Sequence, residues 1–120
     1  MPNRFEVCID VADPDVVRPF WLAALGYAPT TVANGAIILT DPTGVGPTVW
    51  FQRVPEPKSV KNRVHLDIWL DSEVEATRVA AELVALGGTM LHDSGEELVL
   101  ADPEGNVIEL KGPPRQSESG

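Results

Sequence analysis

The sequence has little cysteine, few cations and no long apolar run, and each shortage excludes something. Cys8 is the only cysteine, so no disulfide forms within the chain, and a reducing compartment is the natural setting. No apolar stretch approaches the length that spans a bilayer. Residues 1–8 lack the basic-then-apolar layout of a secretory leader, so a cytoplasmic location is expected and a membrane partner is not. Nine Lys and Arg stand against 18 Asp and Glu, for a net charge of -9. Phosphate backbones are held by clustered cations, so nucleic acid is not an expected partner. The acidity mildly favours neutral or cationic small molecules, although it also serves plain solubility.

What is present suits a soluble globular protein. Hydrophobic residues make up 43% and charged residues 22% of 120 positions, enough for one domain with a core and too little for two independent ones. A core this small gains from association, and a homodimer is expected.

The chain repeats itself. Leu25-Gly26 recurs as Leu86-Gly87, and Asp41-Pro42-Thr43-Gly44 recurs as Asp102-Pro103-Glu104-Gly105, both 61 residues on. Leu22 with Leu83, Ala24 with Ala85, Leu39 with Leu100 and Asp10 with Asp71 keep the same offset. Several coincidences at one offset, in a chain about twice that long, indicate a duplicated unit.

Both units read alike. Residues 4–10 alternate as a half-buried strand does, with Phe5, Val7 and Ile9 on one side and Glu6, Cys8 and Asp10 on the other. A helix is predicted from about Pro14 to Leu25, capped by Asp13 and stopped by Gly26, with Pro19 delaying or kinking it. Strands follow at 35–40 and 48–54. In the second unit, strand 64–70 carries Val64, Leu66, Ile68 and Leu70 on one face, and helix 72–86 follows with Ser72 as cap. Short strands at 89–92, 97–100 and 106–111 complete it. The prediction is α+β: a single domain over residues 1–120. Module one covers about 4–54, a surface linker 55–62, module two about 63–111, and a flexible tail 112–120. The two Asp-Pro turns read as structural, with Asp capping the turn and Gly taking positive φ. No nucleotide cofactor is expected from them.

One face of each sheet must pack on its helix. The opposite faces are polar: Glu6, Cys8 and Asp10 in one module, His65, Asp67 and Trp69 in the other. On the closing strands, Trp50 and Gln52 share a face, as do Val107, Glu109 and Lys111. Such faces make a poor core and a suitable lining for a wet cleft.

The segments DPDVVRPFWLAALGY, NRVHLDIWL and LADPEGNVIEL resemble the vicinal oxygen chelate superfamily, and within it the glyoxalase-like domains, over about Phe5 to Lys111. The resemblance implies two tandem βαβββ modules forming a barrel-like cleft. It also implies metal ligands on the first and last strands of both modules, which are Glu6, Gln52, His65 and Glu109 here. The first ligand is often His in this superfamily, and here it is Glu6. The gap-free repeat pairs Glu6 with Asp67, whereas the family pairing of Glu6 with His65 needs two extra residues around positions 71–74. Strand parity keeps both alternatives on one face.

Two carboxylates, an imidazole and an amide oxygen suit a divalent ion such as Ni, Co, Zn, Mn or Fe. The resemblance then implies isomerase, epimerase, lyase or dioxygenase chemistry on a small molecule, with Glu109 as base. The competing structural reading pairs His65 with Arg63 and Asp67, and Glu109 with Lys111 or Arg53. A second functional reading is a metal-free protein that sequesters a drug or natural product, as bleomycin-resistance-like members do. Trp50 and Trp69 would then stack on a cationic aromatic ligand, with Asp67 and Cys8 beside them. Cys8 has no local basic partner and is not expected to be a nucleophile.

Overall fold

A computed structural model of the chain describes residues 2–113. The tail expected to be flexible therefore lies outside the described residues from position 114 onward. Strand β1 (Val7–Val11), helix α1 (Pro14–Leu25) and strands β2 (Ala28–Thr31), β3 (Ile37–Thr40) and β4 (Val49–Arg53) form module one. Strand β5 (Leu66–Trp69), helix α2 (Glu73–Ala85) and strands β6 (Thr89–Asp93), β7 (Glu97–Ala101) and β8 (Val107–Lys111) form module two. Each module builds a four-stranded sheet, in the orders β1-β4-β3-β2 and β5-β8-β7-β6. The first and last strands of each module run parallel, and the other pairs are antiparallel. The two tandem βαβββ modules are thus as the sequence predicts. Among the described residues no strand pair joins the two sheets, so they flank a cleft without closing a barrel.

Local chemistry fixes the helices. Asp13 takes extended backbone and its Oδ1 accepts from the Asp15 N–H at 3.0 Å, while Gly26 ends α1 at φ 69°. Ser72 does the capping work for α2, accepting from Glu75 N at 3.0 Å. Pro19 neither delays nor interrupts α1, which runs through it. Strand β2 escapes periodicity because it is short, exposed and carries Pro29, a residue tolerated on a sheet edge.

Two core expectations fail. Phe5 and Val64 are 68% and 79% exposed, because β1 and β5 begin only at Val7 and Leu66 and the preceding residues run past the strands. The repeat register also resolves differently. Leu66 follows Val7 by 59 residues and the cap Ser72 follows Asp13 by 59 (66 − 7 and 72 − 13). By Gly87 the offset has grown to 61. The two extra residues therefore sit within α2 and its C-terminal end rather than around 71–74, and Glu6 corresponds to His65.

One core runs through both modules. Val17, Phe20 and Trp21 of α1 bury with Leu39 and Val49; Val79 and Leu83 of α2 bury with Leu98, Leu100, Ile108 and Leu110. The helices touch each other, so the two halves merge. Gly88 permits this, since a Cβ there would lie 2.6 Å from the Phe20 ring and 2.8 Å from the Leu83 carbonyl.

The modules are fastened by the second Asp-Pro turn. Asp102 is buried, and its carboxylate accepts from Trp21 Nε1 at 2.8 Å, Asn106 Nδ2 at 3.0 Å, and the backbone N–H of Glu104 and Asn106 at 2.8 Å each. Glu104 reaches across to accept from the N–H groups of Ala12 and Asp13, both at 2.7 Å. The first turn has no such reach. Asp41 serves only its own loop, through Thr43 and Gly46. Its hydrogen bonds from Gly46 and Thr43 hold its carboxyl below the ordinary range. Replacing Asp102 with Ala strands a buried indole N–H and costs about 3 kcal/mol, whereas Asp41→Ala, at a solvated turn, costs clearly less. Urea unfolding compares the two, and equal losses would refute the asymmetry.

Candidate functional site at the module junction

Sheet register sorts the polar residues. In the parallel pair β1–β4, Cys8 lies beside Trp50 and Asp10 beside Gln52. In β5–β8, Asp67 lies beside Glu109 and Trp69 beside Lys111. These rows occupy the sheet faces turned away from the core, where Cys8, Asp10, Gln52, Asp67 and Trp69 are exposed and Trp50 and Glu109 are half-buried. Period-two alternation made this legible in advance.

On module two the polar groups converge. His65 Nε2 lies 3.1 Å from Asp67 Oδ1 and 3.5 Å from Glu109 Oε1. One donor atom from each of His65, Asp67 and Glu109 falls within 4.8 Å of the other two. Lys111 shares the cluster, with Nζ 3.0 Å from Asp67 Oδ2 and 3.7 Å from Glu109 Oε2. Its hydrogen bond to Asp67, with the charges of Asp67, Glu109 and Glu97, raises the lysine above its usual range against a smaller cost of desolvation. Nζ also sits 5.6 Å from the centre of the Trp69 ring, a cation–π contact.

On module one the grouping is looser. Cys8 Sγ and Gln52 Oε1 are 3.9 Å apart, a long contact between exposed groups. Desolvation, then the charge of Asp10, push the Cys8 thiol above its ordinary value, against a smaller lowering from Gln52. Arg53 joins neither cluster; its guanidinium pairs with Asp13 at 3.6 Å and donates to the Ala12 carbonyl at 2.9 Å.

A recess of about 490 Å³ lies where the modules meet. Its lining takes Cys8 and Asp10 from β1, His65 and Leu66 from the entry to β5, Glu104 and Asn106 from the second turn, and much of the linker from Val54 to Val64. Asn62 anchors the far end of the linker by donating to the carbonyls of Val64 and Val107, both at 3.2 Å. His65 and Cys8 therefore share this recess. Trp50, Gln52 and Trp69 do not line it. Glu6 lines a separate recess of about 530 Å³ with Arg4, Phe5 and the 40–48 loop. Among the described residues, then, the four family ligand positions do not gather around one point; His65 and Glu109 meet, joined by Asp67. The linker is the neighbour that alternation did not bring into the lining; Lys111 was placed on the polar face but not among the candidate site residues. The position of Lys111 two residues beyond Glu109, on the same face, was the available signal.

Paired βαβββ modules with polar faces and a recess at their junction define the class of fold. The Glyoxalase-like domain model matches residues 6–111, and the chain belongs to this family, within the vicinal oxygen chelate superfamily. No curated protein matches. Solved structures share the fold at low identity. A glyoxalase-related enzyme from Fulvimarina pelagi is 19% identical, covers 95% of this chain and 90% of its own, and superposes with a TM-score of 0.74. The fosfomycin resistance protein FosX from Mesorhizobium loti is 11% identical, with 99% and 97% covered and a TM-score of 0.72. A glyoxalase/bleomycin resistance protein from Albidiferax ferrireducens is 24% identical, with 92% and 98% covered and a TM-score of 0.68.

A raised thiol pKa leaves less thiolate at pH 8, so Cys8 should react with a disulfide reagent more slowly than free cysteine. Asp10→Asn should speed that reaction. A wild-type rate at or above that of free cysteine would contradict the assignment.

Proposed function

We propose that this protein is a small-molecule enzyme of the vicinal oxygen chelate type, with its centre at His65, Asp67 and Glu109. The convergence of one imidazole and two carboxylates within 4.8 Å carries the reading. The donor set is that of a divalent transition ion with open positions, and Ni, Co, Zn, Mn and Fe are the candidates. Such an ion, when bound, would polarise a carbonyl or enediolate oxygen of the substrate. His65 and Asp67 would fix the geometry, and Glu109, half-buried beside them, would take the proton as base. Isomerisation, epimerisation, lyase chemistry and dioxygenation all remain within the reach of this arrangement, because fold does not select among them. Glu6 and Gln52, carried over by resemblance, belong to this proposal as further ligands only if they are brought to the cluster. Location in the cytoplasm and action as a homodimer are part of the same proposal. No helix among the described residues is long and apolar enough to cross a membrane.

One observation favours a second reading. Lys111 already offsets the charge of Asp67 and Glu109 and covers a face of Trp69. A metal-free protein that sequesters a small molecule would keep that lysine in place, with Trp50, Cys8 and Asp67 as contacts.

The two readings part on metal content. After apo preparation and reloading, the metal-bound reading expects near-stoichiometric ion in the wild type and little in His65→Ala. Lys111→Met should tighten uptake by about tenfold, since it removes a competing charge within 4 Å. If neither the wild type nor Lys111→Met retains any of the five ions, the sequestering reading takes over.

A further inference from the structure

The linker and the residues that flank it have a charge character opposite to that of the chain. Four of the nine Lys and Arg, Arg53, Lys58, Lys61 and Arg63, fall within 11 residues (53 to 63) of a protein with net charge -9. Most cations, inside that stretch and outside it, are committed. Arg18, Arg53, Arg78 and Lys111 are ion-paired, and Lys58 donates to the Val60 carbonyl. Lys61 and Arg63 have neither a hydrogen bond nor an ion pair among the described residues, and both line the junction recess.

Three carboxylates share that lining: Asp10, Glu56 and Glu104. Glu104 spends both oxygens on the Ala12 and Asp13 N–H groups. Those bonds hold its carboxylate at the chain entering α1; within the 54–64 stretch of the lining Lys58, Lys61 and Arg63 stand against Glu56 alone, which leaves the linker side of the recess cationic. The same side is also apolar. Val60 and Val64 are 75% and 79% exposed, and each sits next to one of the two uncommitted cations in sequence. Exposed valines beside unpaired cations, at the mouth of a concavity, present an apolar wall and an anion clamp together.

We infer that the junction recess binds an organic oxyanion, a carboxylate or phospho group on an apolar body, with Lys61 and Arg63 holding the charged end and Val60 and Val64 covering the body. This rests on the proposed centre at His65, the residue of that centre that also lines the recess, and it names the substrate class. It also reverses the preference for cationic ligands that the whole-chain charge suggests. Local charge decides, because opposite charges act most strongly within a few ångströms, and beyond about 10 Å at ordinary salt the excess acidity is screened.

Calorimetric titration of the full chain with benzoate, phenylphosphonate and benzylamine tests this. Benzoate or phenylphosphonate should bind, benzylamine should not, and the Lys61→Gln/Arg63→Gln double variant should bind the anions about tenfold more weakly. Binding of phenylphosphonate alone assigns a phospho headgroup; binding of benzoate as well assigns a general carboxylate clamp. Both side chains are exposed, so the variant should keep the wild-type urea midpoint, and a matching midpoint is the folding control. Benzylamine binding as tightly as the anions, anion binding unchanged in the folded double variant, or no anion binding at all would overturn the inference. Metal content of the same preparation separates the two proposals: metal without anion binding defeats this one alone, and anion binding without metal defeats the metal-bound centre alone.

Discussion

The buried carboxylate of Asp102 is the constraint on which the rest of the structure depends. Four donors converge on it, one of them the indole of the other module's helix. A charge taken out of water at that depth is tolerated only when its lone pairs are filled. The arrangement fixes the turn, and the turn aims Glu104 at the chain entering α1. Glu104 and Asn106 are at the same time part of the recess wall. The junction's shape and the fastening of the modules are therefore one piece of chemistry, and the linker is stretched across what that chemistry creates.

Most of the fold was legible in the sequence because it depends on local rules. Alternation located β1, β4, β5 and β8, and caps at Asp13 and Ser72 located the helices. Parity put Cys8 with Trp50 and Asp67 with Glu109 on faces away from the core. Strand β2 was not legible, since a four-residue edge segment carrying Pro29 lacks both periodicity and apolar content. Phe5 and Val64 were misjudged for a related reason: alternation continues past the point where a neighbouring strand exists to make it a sheet. The repeat gave the correct duplication but the wrong register at β1, because gap-free matching cannot see the extra residues inside α2.

The site was only partly legible. Asp67 and Glu109 lie on neighbouring strands in register, with His65 at the entry to the first, and register follows from the pattern. What no pattern encodes is which groups then choose one another. Lys111 and His65 compete for the same two carboxylates, so the cluster carries both the structural pairing and the ligand set that the sequence allowed as alternatives. The relation between the modules was equally hidden. It turns on Thr43 standing where the second turn has Glu104, a single difference inside a repeat otherwise read as symmetric.

That difference has a consequence for synthesis on the ribosome. Trp21 waits for an acceptor 81 residues downstream, and Ala12 and Asp13 wait for one 92 and 91 residues downstream. The amino-terminal half can acquire its helix and sheet as it emerges, but its indole and strand exit stay solvated until the second turn has left the tunnel. Contacts of such long sequence separation form late and slowly. Completion of the junction therefore waits on the second turn, and the recess comes into being only as β8 is delivered.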